Sequence, residues 1–426
     1  MTATPAPLIG AICDDLTGAT DLASMLVRGG MQVVQYAGLP TPGKTLTAAD
    51  ALVIALKSRS IPKAEAVEQS LDACRFLKKA GVRQVYFKYC STFDSTPQGN
   101  IGPVAEALRA ELGAANVPHL PSLPVNGRTV YQGHLFVNGQ LLSETGMATH
   151  PLTPMTDPDL VRVLQAQTPA PVGKIAWPLV AQGAGAIGRA MADSGCRHLI
   201  GDAISDADLT IWADALRDAP LVAGGSGLAQ PLARAHLALA PSKHSAMRPA
   251  WPTGPTLILA GSCSTMTRAQ IASYKDQGGP CLPLDLALLL HDPARAVGQV
   301  MNWIAEHQGA APLVYSSAAS DQRSSAGSDQ GKVAYAIEDA FGDIARRAVA
   351  ADRAHRLVVA GGETSGAVVR SLGATALRIG PEIAPGVPWT EALDARGAPI
   401  CALALKSGNF GDEDFFLRAL AQQVPA

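Results

Sequence analysis

Apolar runs of strand length alternate with amphipathic stretches along the first half of the chain. Four runs are short enough to be buried strands: 8–13, 32–37, 51–56 and 84–89. The stretch 63–79 places its apolar residues on one helical face. Strands separated by helices predict right-handed crossovers and a parallel sheet. Because the alternation restarts at residue 256, we expect an α/β protein of two domains, each built on a mostly parallel sheet with flanking helices.

A stretch without apolar periodicity separates the two halves. Residues 242–255 contain three prolines and several charges, and we assign them to a linker between domains of 1–241 and 256–426. Within the first domain, the pattern over 128–142 predicts a β-hairpin insertion, because its Asn-Gly pair suits a type I′ turn. Two such domains favour an active site in the cleft between them.

Charge and composition narrow the class of protein. The 34 Lys and Arg residues nearly balance the 36 Asp and Glu residues, so the chain lacks the basic character of a nucleic-acid binder. Its apolar runs are too short to span a bilayer, and its N-terminus lacks a signal-peptide pattern, which predicts a cytoplasmic protein. The seven cysteines are scattered, which is typical of reduced thiols.

Polar side chains follow three of the strands predicted in the first half. They are Asp14 and Asp15 after the first strand, Lys57, Ser58 and Arg59 after the third, and Ser91 and Asp94 after the fourth. Carboxyl ends of parallel strands meet at one edge of a sheet, so these turns should converge on one pocket. Carboxylates orient hydroxyl groups or accept protons, and Lys and Arg bind anions. Each turn also has a structural interpretation, since one Asp can simply cap a helix.

Glycine-rich turns follow strands in the second half. The turn at 361–366 opens a helix, and turns at 261–264 and 406–411 occupy similar positions. Glycine allows close approach of backbone N–H groups to phosphate, so the three turns predict a nucleotide cradle, although none is a Walker A sequence. The Gly-x-Gly-x-x-Gly pattern at 183–188 lacks the acidic residue of a dinucleotide site, and we expect a helix start there.

These motifs together resemble the four-carbon acid sugar kinase family. The resemblance rests on Asp-Asp-Leu-Thr-Gly-Ala at 14–19, Asp-Ser-Thr at 94–96 with Gly-Asn at 99–100, and the glycine-rich turns at 361–366 and 406–411. The segment 380–388 also matches, so the resemblance covers nearly the whole chain. Within the family, the turn 88–96 is most similar to the 3-oxo-tetronate 4-kinases, because the threonate and erythronate kinases carry a different pattern there.

The resemblance implies an ATP-dependent kinase with an N-terminal substrate domain and a C-terminal nucleotide domain. Family positions expected to contact ATP correspond to Ser262, Ser264, Gly361, Gly362, Glu363, Thr364 and Gly408. Mg²⁺ is expected with the nucleotide; its ligands are not identified, although Glu363 could reach it through water. A homodimer is a further expectation.

A small polyhydroxy carboxylate needs cations and hydroxyl-binding groups. Lys57 and Arg59 suit the carboxylate, and Asp14, Ser58 and Ser91 complete the substrate set. The base for the 4-hydroxyl is either Asp15 or Asp94, and the sequence does not choose between them. Two alternatives stay open, namely a threonate or erythronate kinase of the same family and a non-catalytic sugar-acid binding protein.

Overall fold

The computed structural model describes residues 6–40, 49–149, 153–240, 242, 253–316 and 330–422. The chain divides into two compact units, Met1–Met247 and Arg248–Ala426. This division falls inside the stretch that the sequence analysis assigns to a linker. Most of that stretch, and most of the Ser- and Gly-rich segment after residue 316, lies outside the described residues.

The N-terminal unit alternates strands and helices for most of its length. In chain order its strands are β1 (Ile9–Cys13), β2 (Val33–Ala37), β3 (Ala51–Ala55), β4 (Gln84–Lys88), β5 (Val117–Leu120), β6 (Arg128–Tyr131), β7 (His134–Val137), β8 (Gln140–Leu141), β9 (Val172–Ile175), β10 (His198–Gly201) and β11 (Leu221–Gly224). Its helices are α1 (Leu16–Arg28), α2 (Lys63–Lys79), α3 (Ile101–Leu112), α4 (Leu160–Gln165), α5 (Trp177–Val180), α6 (Ala184–Asp193), α7 (Asp206–Leu216) and α8 (Ala229–Leu239).

Eight of these strands form a parallel sheet in the order β2-β3-β1-β4-β11-β5-β10-β9. The central strands β1, β3 and β4 are buried along their whole length, which explains why they are continuous apolar runs instead of alternating ones. The strand order reverses at β1, since β2 and β3 lie on one side of it and β4 on the other. Ligands of open α/β sheets bind at such a switch point, outside the carboxyl ends of the strands.

The predicted hairpin region forms a separate antiparallel sheet of three strands, β6-β7-β8. Asn138 and Gly139 connect β7 to β8 with φ of 51° and 81°. The pattern over 128–142 predicts a simple hairpin, but a second tight turn at Gln132 and Gly133, with φ of 53° and 78°, adds a third strand. The buried carboxylate of Asp202 stabilises this second turn, because it accepts hydrogen bonds from both N–H groups at 2.6 and 2.8 Å. The interaction spans about 70 residues of sequence, which is why the local pattern does not reveal it.

The C-terminal unit has a mixed sheet. Its strands are β12 (Thr256–Ala260), β13 (Cys281–Pro283), β14 (Leu313–Tyr315), β15 (Arg356–Ala360), β16 (Ala376–Ala384), β17 (Val387–Leu393) and β18 (Pro399–Lys406). Its helices are α9 (Thr265–Asp276), α10 (Leu286–His291), α11 (Pro293–Glu306), α12 (Gln330–Ala350), α13 (Gly362–Ser371) and α14 (Phe415–Ala421). The order is β13-β14-β12-β15-β18-β17-β16, with the first five strands parallel and the last two added antiparallel.

The predicted fold class is confirmed, because both units are α/β structures whose main sheets are mostly parallel. The antiparallel pair β16 and β17 is an addition that the sequence analysis did not assign. The Gly-x-Gly-x-x-Gly segment begins helix α6, with Gly183 as its N-cap, as expected. No helix in the described part of the chain is long and apolar enough to cross a membrane.

His236 makes the stability of the N-terminal unit depend on pH. It is buried on α8, its Nε2 lies 2.9 Å from Oε1 of Gln84, and burial lowers its pKa to about 4 from 6.5. Between these values the unfolded chain binds a proton that the folded chain does not, so the free energy of unfolding falls as the pH drops through this window. In a His236→Gln variant, the free energy of unfolding should fall less steeply as the pH drops through this window, by up to about 1.4 kcal/mol per pH unit. Urea unfolding of both proteins at pH 6.5 and 4.5 measures the difference, and parallel pH dependences would contradict it.

Candidate active site

A recess opens at the switch point of the N-terminal sheet. It is lined by Asp14, Ser58, Arg59, Phe87, Asp94, Ser95, Asn100, Ile101 and Val104. Its enclosed volume is about 10 Å³, close to the space of one water molecule, so the recess admits only a small group of a ligand. The turns after β1, β3 and β4 all contribute to the lining, because these strands are neighbours in the sheet.

Arg59 joins two of these turns. Its Nε and Nη2 donate to the two carboxylate oxygens of Asp14, each at 2.8 Å, and Nη2 also lies 3.0 Å from Oδ1 of Asp15. Such a fork is the geometry in which guanidinium binds carboxylate most strongly. Burial raises the pKa of Asp14 although Arg59 opposes the shift. Only Nη1 of Arg59 makes no hydrogen bond within the described residues, and it is therefore the part left for a ligand.

Asp15 is also the N-cap of α1. Its Oδ1 accepts a hydrogen bond from the N–H of Gly18 at 3.0 Å, and its Oδ2 accepts one from the hydroxyl of Thr17 at 2.9 Å. Burial would raise the pKa of Asp15, but Arg59 and Lys88 outweigh burial and lower it. Both carboxylate oxygens of Asp15 thus accept hydrogen bonds from the start of α1, so its geometry is that of a helix cap.

Asp94 has a different environment. Its Oδ1 accepts a hydrogen bond from the Thr92 hydroxyl at 2.5 Å, whereas Oδ2 makes no hydrogen bond within the described part of the chain. The preceding residue, Phe93, is fully buried with φ of 55°, an unfavourable conformation for a bulky side chain. Its ring packs edge-on against Tyr89, with ring centroids 5.2 Å apart. Strained residues of this kind are concentrated at functional sites.

Two residues that the sequence analysis did not select support this site. Asn100 is buried and donates from Nδ2 to the carbonyls of Ser58 and Ile61 at 2.8 and 2.9 Å, which fixes the turn that carries Arg59. Lys88 is buried at the end of β4 and donates to the Tyr89 carbonyl at 2.7 Å. Burial would lower the pKa of Lys88, but the carboxylates of Asp21, Asp15 and Asp14 raise it. Lys88 lies in the turn 88–96 and Asn100 lies in the Gly-Asn pair at 99–100, so these two motifs could have identified them.

Of the remaining predicted substrate residues, Ser58 lines the recess, whereas Lys57 and Ser91 do not. Lys57 is exposed and outside the lining, and the hydroxyl-bearing Ser58 is almost completely buried. Ser91 lies against the turn after β11, where a Cβ added to Gly225 would be 3.2 Å from its own Cβ. Of the seven predicted residues, Asp14, Ser58, Arg59 and Asp94 line the recess directly.

Three glycine-rich turns meet in the C-terminal unit. They follow β12, β15 and β18, which are adjacent strands. A Cβ on Gly408 would lie 2.5 Å from Oγ of Ser262 and 3.0 Å from Oγ of Ser264, so only glycine allows this close approach. Oγ of Ser264 donates to the Gly408 carbonyl at 2.6 Å, which fixes the first turn to the third.

Helix α13 begins with N–H groups that have no hydrogen-bond partner in the described part of the chain. Gly361 is its N-cap with φ of 126°, a conformation suited to glycine, and no side chain caps the helix. The N–H groups of Gly362 and Thr364 make no hydrogen bond within the described residues. Helix α9, in contrast, is capped by Ser264, which accepts from the Thr267 N–H at 3.2 Å. The uncapped start of α13 therefore offers donors to an anion such as phosphate.

Lys406, at the end of β18, is a third residue that the sequence analysis did not select. It is fully buried and donates from Nζ to the Gly408 carbonyl at 2.8 Å. As for metals, no group of three or more His, Cys, Asp or Glu side chains within the described ranges is arranged to hold an ion.

Comparison with known proteins agrees with the different character of the two units, a polar recess in the first and glycine-rich turns in the second. A family model described as a sugar-binding N-terminal domain matches residues 9–232, and one described as a nucleotide-binding C-terminal domain matches residues 257–416. A 3-oxo-tetronate kinase from Cupriavidus necator is 48% identical over 98% of this chain and 97% of its own length. The chain belongs to the family of the 3-oxo-tetronate kinases. The resemblance to the four-carbon acid sugar kinases is therefore confirmed.

Other members of the family are almost as similar. A 3-oxo-tetronate kinase from Brucella melitensis is 44% identical over 96% of this chain and 94% of its own length. Among solved structures, one from Salmonella typhimurium, provisionally described as a tRNA synthase, is 45% identical with a TM-score of 0.86. The match covers 96% of this chain and 98% of that one, so the family fold extends over nearly the whole chain.

The capping and charge roles of Asp15 can be separated by substitution. Asparagine caps helices as well as aspartate does, so Asp15→Asn should keep the cap, and Asp15→Ala should lower the free energy of unfolding by about 1 kcal/mol more than Asp15→Asn. Urea unfolding followed by circular dichroism measures both. Asp285, which caps α10 by accepting from the Leu288 N–H at 3.0 Å, provides the matched pair of control variants. Equal losses for Asp15→Asn and Asp15→Ala would mean that the charge beside Arg59, and not the cap, stabilises the fold.

Proposed function

We propose that this chain is an ATP-dependent kinase that transfers the γ-phosphoryl group of ATP to the 4-hydroxyl of 3-oxo-tetronate. The observation that carries the proposal is the pairing of a small acid-lined recess in a unit of the sugar-binding type with an uncapped, glycine-framed helix start in a unit of the nucleotide-binding type. The curated relatives, which are named 3-oxo-tetronate kinases, favour this substrate over threonate or erythronate. A non-catalytic binding protein would not need the nucleotide turns.

The polar lining of the recess suits the substrate. Asp14 and Ser58 lie beside Arg59, whose free Nη1 can donate to the substrate carboxylate. The exposed ammonium of Lys57 can approach the same carboxylate from the solvent side. Ser91, at the neighbouring turn, can contact a substrate hydroxyl. Carboxylates that already accept from Arg59 are held rigidly, so they orient hydroxyl groups without rearranging.

Asp94 is the better candidate for the general base. Asp94 lines the recess and its Oδ2 carries no hydrogen bond from the described residues, whereas both oxygens of Asp15 are occupied. In the reaction, Asp94 accepts the proton of the 4-hydroxyl while that oxygen forms a bond to the γ-phosphorus. The bond from the γ-phosphorus to the β,γ-bridging oxygen breaks, and ADP leaves with the electron pair.

The nucleotide is held by the converging turns. Ser262, Ser264 and Gly408 form one wall, Gly361 is the N-cap that allows close approach, and the N–H groups of Gly362 and Thr364 face the phosphates. Mg²⁺ accompanies ATP in such reactions and neutralises phosphate charge; it takes most of its ligands from phosphates and water, so a single carboxylate suffices. Glu363, exposed in the first turn of α13, is the residue that would approach it.

Transfer requires that the γ-phosphate reach the 4-hydroxyl and that water be excluded. An active site in the cleft between the domains stays a prediction from the sequence. The cytoplasmic location and the homodimer stay predictions from the sequence.

Substrate preference tests the proposed function. In a coupled ADP-release assay with Mg-ATP, we expect kcat/KM for 3-oxo-tetronate to exceed that for D-threonate, L-threonate and D-erythronate by about 100-fold or more. The physical reason is that a carbonyl at C3 only accepts hydrogen bonds, whereas a hydroxyl at C3 also needs an acceptor. Comparable turnover of a threonate would keep the kinase and overturn the substrate. Failure to bind ATP would overturn the kinase itself.

The assignment of the base is tested by two isosteric variants. Asp94→Asn should lower kcat by about 10²- to 10⁴-fold and change KM only a few-fold, because the lost group acts on a proton in the transition state. Asp15→Asn should have the smaller effect on kcat. A larger loss of kcat in Asp15→Asn would reverse the assignment.

A further inference from the structure

A buried lysine lies beneath the proposed nucleotide turns. Lys406 is 0% exposed, and its Nζ has three hydrogen-bond partners: Oγ1 of Thr267 at 3.1 Å, the Ser407 carbonyl at 3.1 Å and the Gly408 carbonyl at 2.8 Å. An ammonium group has three N–H bonds and no acceptor. The three oxygen atoms therefore favour the charged form of the side chain, and complete burial opposes it, so the two forms are closely balanced.

The positive charge of Lys406 has no acidic partner among the described residues. The charged residues on the surrounding elements are Arg268, Lys275 and Asp276 on α9, Arg356 on β15, Glu363 and Arg370 on α13, Glu391 on β17 and Arg418 on α14. Glu391 is paired with Arg378, and Glu363 is exposed. Asp412 and Asp414, in the turn before α14, lie near Arg418 at 3.2 and 3.6 Å. Burial without an acidic partner lowers the pKa of Lys406 to about 7.

The hydrogen bonds of Lys406 also set the direction of two peptide groups. The C=O and N–H of a trans peptide point in opposite directions, and the described chain has no cis peptide. Because the carbonyls of Ser407 and Gly408 face the ammonium, the N–H groups of Gly408 and Asn409 point away from it. Neither N–H donates a hydrogen bond within the described residues. Two successive N–H groups in a turn make a concavity that binds anions.

The turns next to Gly408 and Asn409 indicate that the anion bound by their N–H groups is phosphate. Gly408 lies against Ser262, and the N–H of Gly361 donates to the Lys406 carbonyl at 2.8 Å, which connects this turn to the uncapped start of α13. We propose that Lys406 is a positioning residue of the nucleotide site: it turns the Gly408 and Asn409 N–H groups toward the nucleotide phosphates and takes up a proton when they bind. This inference rests on the proposed nucleotide site and adds to it a buried lysine whose charge is coupled to nucleotide binding.

The proton uptake has a calculable size. With a pKa near 7, Lys406 of the free protein is mostly neutral at pH 8, so full protonation on binding would take up about 0.9 proton. The nucleotide phosphates are already fully ionised at pH 8 and contribute little, since a phosphate monoester loses its second proton near pH 6. Binding should also weaken as the pH rises above 7, by up to about tenfold per pH unit.

Calorimetry of the full chain tests the inference. The probes are Mg-ADP and a non-hydrolysable Mg-ATP analogue, titrated at pH 8 in buffers of different ionisation enthalpy, which yields the protons taken up on binding. Wild type should take up 0.5 to about 0.9 proton, and Lys406→Met should take up none and bind about tenfold more weakly or worse. Lys275→Met is the matched control, because Lys275 is an exposed lysine at the end of α9, and it should behave as wild type.

The outcomes distinguish this inference from the proposed function. Nucleotide binding without proton uptake in wild type overturns the role of Lys406 and leaves the kinase intact. Equal uptake in wild type and Lys406→Met also overturns it. Absence of nucleotide binding overturns the proposed function first. If Lys406→Met does not fold, the affinity of wild type for Mg-ADP between pH 6 and 9 decides, since a flat profile contradicts the inference.

Discussion

The ion pair between Arg59 and two consecutive aspartates organises the candidate substrate site. One guanidinium group binds Asp14 in a fork and also contacts Asp15, which joins the turn after β3 to the turn after β1. A partly buried cation between two carboxylates keeps all three charged groups in fixed positions, because removing either sign would leave the other uncompensated. The recess inherits its shape and its excess of acidic groups from this arrangement.

The same arrangement restricts what each residue can do. The oxygens of Asp15 accept hydrogen bonds at the N-terminus of α1, and those of Asp14 accept from Arg59. Asp94, in contrast, keeps one oxygen without a hydrogen-bond partner in the described part of the chain. Neighbouring carboxylates can therefore have different roles although they are chemically identical. The environment of each side chain, and not its type, distinguishes an orienting group from a proton acceptor.

In the proposed function, the two units bind small anions in different ways. The N-terminal recess uses charged side chains that neutralise each other before a ligand arrives. The C-terminal turns use backbone N–H groups at an uncapped helix, with Lys406 buried behind them. Backbone donors suit a polyphosphate common to many enzymes, whereas side chains can discriminate between related sugar acids.

The sequence by itself determined the alternation of strands and helices, and with it the edge of each sheet at which ligands bind. Turns after β1, β3 and β4 had to converge once those strands were parallel neighbours, and Asp14, Arg59 and Asp94 could be selected for that reason. Only the tertiary structure decided that β16 and β17 are antiparallel, that Asp202 divides the predicted hairpin, and that Lys406 lies buried without a carboxylate. These features depend on contacts between residues far apart in the chain, or on burial, and local periodicity contains neither.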